Sequence, residues 1–109
     1  MKQYVYIFTR QDIAKEYQLV QTGHVALKLG YEAAKNNIEM DPNNTYFTCI
    51  GVRNLEALFA VQKILRTFGY RSEVFFEPDL KNGEITSIAT YPIGEDNRDV
   101  LLAFSLLKF

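Results

Sequence analysis

The chain has 109 residues, of which 48% are hydrophobic and 14% aromatic, and its formal net charge is −1. This length and composition predict one globular domain, residues 1–109, with a single substantial core. The near-neutral charge excludes a global attraction to nucleic acid or anionic membranes, so such binding would need a local patch. The single cysteine, Cys49, excludes an internal disulfide, and its apolar neighbours indicate a buried strand residue.

The N-terminal apolar run is too short and too aromatic for a signal peptide. No later run approaches the roughly 20 apolar residues that a membrane span requires. We therefore expect a cytoplasmic protein without a membrane segment.

The first part of the chain predicts a strand followed by a helix. Gln3 to Thr9 is rich in β-branched and aromatic residues without a helical period, which indicates a strand buried on both faces. Asp12 is positioned to cap a helix that begins near Ile13 or Ala14 and ends near Lys35. Residues recur along this helix at helical spacings: Leu19, Val20, His24, Leu27 and Tyr31. Gln21, His24 and Lys28 should share one of its faces.

The remaining chain predicts three more strands, over Thr45 to Val52, Arg71 to Glu77 and Glu84 to Tyr91. Asn54 is a suitable cap for a second helix that ends at Gly69. Its expected core residues are Leu55, Leu58, Phe59, Val61, Leu65 and Phe68. The dipeptide Asn82-Gly83 is a strong hairpin signal, so the last two strands should pair antiparallel. Glu95 to Phe104 predicts a final helix with acidic residues in its first turn. This alternation predicts a three-layer α/β/α single domain with a four-stranded mixed sheet.

Several motifs that carry chemistry are absent from the sequence. It contains no glycine-rich phosphate loop, no paired cysteine or histidine spacing for zinc, and no Gly-x-Ser-x-Gly elbow. We therefore expect no metal site and no cofactor.

His24 is the only histidine in the chain, and it follows Gln21-Thr22-Gly23 within the first predicted helix. Histidine is the side chain that exchanges protons most readily near neutral pH, so His24 is the first candidate for acid–base chemistry. A lone helical histidine is also commonly an ordinary packed or surface residue, and that alternative stays open.

The segment Arg10-Gln11-Asp12-Ile13 follows the first predicted strand, and the segment Gln21-Thr22-Gly23-His24-Val25-Ala26 lies in the first predicted helix. These segments and their order resemble the type-2 peptidyl-tRNA hydrolases of archaea and eukaryotes. Further matches, in chain order, are Asn54 to Gly69, Arg71 to Asp79, Thr86 to Pro92 and Leu107-Lys108-Phe109. Each match is short, but together they extend over nearly the whole chain.

The resemblance implies a peptidyl-tRNA hydrolase II-like fold with sheet order 2-1-4-3. It also implies hydrolysis of the ester that joins a peptide to the 3′ ribose of tRNA. In that chemistry His24 would be the general base and Asp79 would orient it. Lys15 would stabilise charge and Thr86 would donate a hydrogen bond. The expected substrate-binding residues are Gln21, Lys28, Arg10 and Asp12.

The sequence departs from the family at this expected site. The family's segment rich in glycine and lysine, of the type Lys-Met-Gly-Lys-Gly-Lys, is shortened here to Ala14 to Gln18 and keeps only Lys15. The loop from Asp79 to Thr86 is also shorter, and Leu80 to Glu84 replaces the family's Ala-Gly-x-Thr-Gln. These departures put tRNA affinity and catalytic rate in doubt more than the fold.

Two other classes of function remain open. The first is a catalytically impaired binding module that keeps a pocket for RNA, a nucleotide-like ligand or a protein partner. The second is an assembly protein with an aromatic surface, and a homodimer is compatible with the sequence. If tRNA is the partner, Lys15, Lys28 and one of the basic residues near the second helix should line one face. Those basic residues are Lys63, Arg66 and Arg71.

Overall fold

A computed structural model describes residues 2–81 and 83–104 of the chain. It contains five strands, namely β1 (Gln3–Arg10), β2 (Thr45–Val52), β3 (Ser72–Glu77), β4 (Glu84–Thr90) and β5 (Ile93–Gly94). Its two α-helices are α1 (Lys15–Lys35) and α2 (Leu55–Thr67). The hairpin residue Asn82 and the C-terminal match Leu107-Lys108-Phe109 lie outside the described residues.

The strands form one mixed sheet in the order β2-β1-β4-β3. β1 runs parallel to β2 and antiparallel to β4, and β4 runs antiparallel to β3. The predicted strand order and the antiparallel pairing of the last two long strands are therefore confirmed. β5 is an additional short strand that pairs with the start of β1.

The central strand β1 separates two hydrophobic clusters because its side chains alternate between the faces of the sheet. Tyr6 and Phe8 point to the side covered by α2, where the helix contributes Leu58, Val61 and Leu65. Val5 and Ile7 point to the opposite side, where α1 contributes Val25, Leu29 and Ala33. One helix on each face gives the predicted three layers.

Three predictions about the helices are wrong. Glu95 to Phe104 forms two short 3₁₀ segments, Glu95–Asn97 and Asp99–Ala103, rather than one α-helix. Asp12 does not cap α1, because its carboxylate binds Arg10 and no side chain caps the helix at Ala14. Phe59 and Phe68 do not belong to the core, since about half or more of each side chain is exposed. Asn54, in contrast, accepts a hydrogen bond from the backbone amide of Ala57 and caps α2 as predicted.

Candidate functional site

Polar side chains are concentrated between the first half of α1 and the sheet beneath it. α1 buries Gln18 and Gln21 there, in the same row of buried positions that continues with Val25. The sheet supplies buried hydroxyl groups at this end: Thr9 from β1, and Thr86 and Ser87 from β4. A helix buries polar residues at low cost only where hydrogen bonds satisfy them, so this contact requires a matched set of partners.

Gln21 is the centre of this polar contact. Its amide nitrogen donates to Oε1 of Glu77 at 3.0 Å, and its amide oxygen accepts from the Thr86 hydroxyl at 2.7 Å. Its backbone carbonyl accepts from the Ser87 hydroxyl at 2.9 Å. These bonds join α1 to β3 and β4, and they fix the orientation of the Gln21 side chain.

A second set of bonds attaches the start of α1 to β1. The hydroxyl of Thr22 donates to the backbone carbonyl of Gln18 and lies 2.7 Å from the Thr9 hydroxyl. The Gln18 amide donates to the backbone carbonyl of Ile13, in the segment before the helix. The first turns of α1 are therefore fixed relative to the sheet, and this restricts where the next turn places its side chains.

His24 lies one turn beyond Gln21 and is exposed to solvent. Its ring stacks on the ring of Phe75, with the ring centroids 4.6 Å apart and the planes at 6°. Within the described residues the His24 side chain makes no hydrogen bond or ion pair. The contact with Phe75 thus restricts the orientation of the ring, while both ring nitrogens remain available to water or a ligand.

Lys28 continues the same face of α1, as predicted. Its ammonium group donates to the backbone carbonyl of Val74 at 2.8 Å and lies 3.9 Å from Oε1 of Glu73. The other oxygen of Glu73 accepts from the Tyr91 hydroxyl at 2.6 Å. Burial and this carboxylate together raise the pKa of Tyr91 to about 12. The positive charge of Lys28 is therefore partly neutralised by a neighbouring carboxylate.

Arg10 and Asp12 form a separate ion cluster at the end of β1. Arg10 is buried, and its guanidinium group binds the Asp12 carboxylate, the Glu84 carboxylate and the backbone carbonyl of Ile85. The hydrogen bond from Arg10 lowers the pKa of Asp12. These contacts hold the end of β1 against the start of β4, which is a structural role for two expected substrate-binding residues.

The other two expected catalytic residues are at the surface. Lys15, the first residue of α1, and Asp79, in the turn after β3, are both exposed. Neither side chain makes a hydrogen bond or ion pair within the described residues. Of the expected set, direct contacts join Gln21 to Thr86 and Arg10 to Asp12, and His24 lies on the same helical face as Gln21.

Three residues of this site, all on β3, are absent from the set expected from the sequence. Glu73, Phe75 and Glu77 alternate along β3, and each contacts a different residue of α1. Two carboxylates separated by an aromatic residue at period two are a recognisable signal that one face of a strand meets polar partners. That signal was assigned only to strand formation.

The basic residues are divided between the two faces of the sheet. Lys15 and Lys28 belong to α1, whereas Lys63 and Arg66 belong to α2 on the opposite side. Arg71 places its guanidinium group 4.8 Å from the ring centroid of Tyr91, which packs on the α1 side. Of the five basic residues that were expected to line one face, Lys15, Lys28 and Arg71 therefore lie on the α1 side of the sheet, and Lys63 and Arg66 lie on the α2 side.

The fold and this contact define a small α/β domain with a mixed sheet and two helices. No protein-family model and no curated protein sequence matches the chain. A solved structure of a protein of unknown function from Agrobacterium tumefaciens strain C58 is similar, with a TM-score of 0.66 and 12% identity. The alignment covers 99% of both chains, so the likeness extends to the whole domain. At this identity it shows the fold alone.

Two further properties concern the described residues only. Neither described helix combines the length and the hydropathy that a membrane-spanning segment needs. Within residues 2–81 and 83–104, no group of three or more histidine, cysteine or acidic side chains has an arrangement that could hold a metal ion.

Cys49 is partly buried, and burial raises the pKa of its thiol.

Proposed function

We propose that this protein is a peptidyl-tRNA hydrolase-like enzyme that hydrolyses the ester between a peptide, or an N-blocked amino acid, and the 3′ ribose of tRNA. The observation that carries the proposal is the 2.7 Å contact between Thr86 and Gln21. The family resemblance selects both residues from distant parts of the sequence, and the fold brings them together beside His24. The strand order of the sheet also agrees with the order that the resemblance implies.

His24 is suited to act as the general base in this reaction. Its exposed ring can accept a proton from water while the hydroxyl oxygen attacks the ester carbonyl. The ester C–O bond then breaks, and the 3′ oxygen of the ribose takes up a proton. Phe75 limits the rotation of the imidazole, which keeps the base in one orientation. Lys15, exposed at the start of α1, supplies positive charge for the oxyanion or a phosphate group.

The direct test is release of an N-acetylated amino acid from charged tRNA by the wild type and by His24→Ala. A positioned general base contributes roughly 10²–10⁴-fold, so His24→Ala should reduce the rate by that factor. Leu27→Ala is a matched control, because Leu27 is 74% exposed on the same helix and its side chain has no group that could act as an acid or base. Equal release by the wild type and His24→Ala would contradict the proposed role of the histidine.

A second candidate function is binding of the tRNA 3′ end without turnover. Two observations favour it: the Thr86 hydroxyl already donates a hydrogen bond to Gln21, and the Asp79 side chain makes no hydrogen bond with His24 within the described residues. In this case the stacked rings of His24 and Phe75 would be a platform for an unpaired base.

Binding and turnover can be separated with fluorescently labelled tRNA. The binding function predicts that His24→Ala and Phe75→Leu both weaken binding, while the wild type releases no amino acid. Loss of one stacked base costs about 1–3 kcal/mol, or about 5- to 150-fold in affinity. Wild-type binding that does not weaken with added salt would contradict phosphate recognition.

A further inference from the structure

The two edges of the sheet differ in how they are protected. An edge strand presents unpaired backbone amides and carbonyls, which can pair with a strand of another chain. β2 and β3 are the edge strands here. Natural edge strands avoid such pairing by being short, by carrying charges, or by a bulge.

β3 has each of these protections. It has six residues, it carries Glu73 and Glu77, and its pairing with β4 shifts register between Phe75 and Phe76. Lys28 also donates a hydrogen bond to the carbonyl of Val74, so a side chain of the same protein occupies part of this edge.

β2 has none of these protections. It has eight residues without a charge or a proline, and it pairs with β1 in one unbroken register. Its aromatic residues Tyr46 and Phe47 are 46% and 54% exposed. A long, regular and apolar edge of this kind is expected to be covered by another strand.

We propose that β2 pairs antiparallel with β2 of a second copy of this chain, forming a symmetric dimer with one continuous sheet. Because only one edge of each copy is open, assembly stops at two copies, which is the commonest closed symmetry. The small net charge of −1 gives little repulsion between identical surfaces.

The backbone hydrogen bonds define which residues of β2 face the partner. The amide of Gln3 donates to the carbonyl of Asn44, and the amide of Gln11 donates to that of Val52. In a parallel pair, the backbone N–H and C=O groups of the even-numbered residues of β2 therefore point to β1. Those of the odd-numbered residues point to the open edge. A two-fold axis at Thr48 pairs all of these outward groups, with Phe47 of one copy opposite Cys49 of the other.

The size of the contact predicts a reversible dimer. A strand of this length extends about 26 Å, and a strip about 10 Å deep covers on the order of 260 Å². Standard interfaces bury about 800 Å² from each partner, so this contact is small even with the exposed parts of Tyr46 and Phe47 added. We therefore expect the dimer to dissociate on dilution.

Sedimentation of the full chain over a dilution series tests the proposal. The wild type should change from dimer to monomer, and Phe47→Lys should raise the dissociation constant roughly tenfold or more. Phe59→Lys is the matched control, because Phe59 is 51% exposed but lies on α2. Circular dichroism checks that both variants fold. A wild type that is monomeric at every concentration, or equal effects of the two substitutions, would overturn the proposal. In that case the open edge of β2 would be available to a strand of another protein.

A cysteine crosslink tests the register separately. Thr48 faces its own copy across the axis in a non-hydrogen-bonded pair, where side chains are close enough for a disulfide. Thr48→Cys in a Cys49→Ser background should therefore form a covalent dimer under mild oxidation, whereas Phe59→Cys in the same background should not. Failure of the Thr48→Cys variant to crosslink more than the control overturns this register.

Discussion

The first half of α1 and the whole of α2 bury different kinds of residue, although the second half of α1 buries apolar residues as α2 does. α2 buries Leu58, Val61 and Leu65 and directs Lys63 and Arg66 to solvent, as an amphipathic helix normally does. The first half of α1 buries two glutamines. Its outer surface is largely apolar instead, with exposed Tyr17, Leu19, Val20, Leu27 and Tyr31.

The difference shows that the α1 side of the sheet combines a hydrophobic cluster with a polar contact, whereas the helix on the α2 side contributes apolar packing. Every buried side-chain polar atom in the described residues has a hydrogen-bond partner. The polar contact under α1 is therefore complete, and a complete network defines one arrangement of helix and sheet more narrowly than apolar packing does. That arrangement fixes His24 above Phe75.

The largest effect is expected from a core substitution in α2. Leu58→Ala should lower the free energy of unfolding by about 2–5 kcal/mol, because Leu58 is fully buried and its loss leaves a cavity. Leu27→Ala on α1 removes the same atoms from an exposed site and should change it by less than about 0.5 kcal/mol. Urea denaturation of both variants measures the difference. Similar losses would mean that the outer face of α1 is covered in solution.

A smaller loss is expected when the polar contact under α1 is broken. Gln21→Leu leaves the Thr86 hydroxyl and the Glu77 carboxylate without their partner, which should cost about 1–3 kcal/mol of unfolding free energy. Adding Thr86→Val removes one of the unpaired groups, so the double variant should be more stable than the sum of the two single changes predicts. Additive losses would show that Gln21 and Thr86 do not act together.

Much of the fold could be predicted because local sequence decides it. The bounds of β2 agree with the prediction from residue type, and Asn54 has the capping role that its position indicated. The last helix could not be predicted correctly. The acidic residues after Gly94 favour a helix start, but no side chain caps it, and Leu101 is its only buried residue.

The site was predictable only in part. Spacing selected Gln21, His24 and Lys28 as one face of α1, but the identity of their partners depends on strands that lie more than 40 residues away. The sequence resemblance directed attention to Asp79, whereas the carboxylate that contacts Gln21 is that of Glu77. A period-two pattern gives the face of a strand, and only the tertiary fold assigns that face to a helix.

The smallest effect concerns pH, and it should also originate on the α1 side of the sheet. The pKa of Tyr91 is raised to about 12 by burial and by Glu73, above the ordinary value near ~10. A raised pKa contributes stability that is fully present below about pH 10 and is lost as pH rises towards 12. Tyr91→Phe should therefore cost only about 1 kcal/mol at neutral pH, the net value of one hydrogen bond. The substitution should also reduce the alkaline loss of unfolding free energy that chemical denaturation of the wild type shows at a series of pH values. If the alkaline loss of stability is unchanged in Tyr91→Phe, another group is responsible for it. Tyr70 on the α2 side, whose pKa is also raised, is then the candidate.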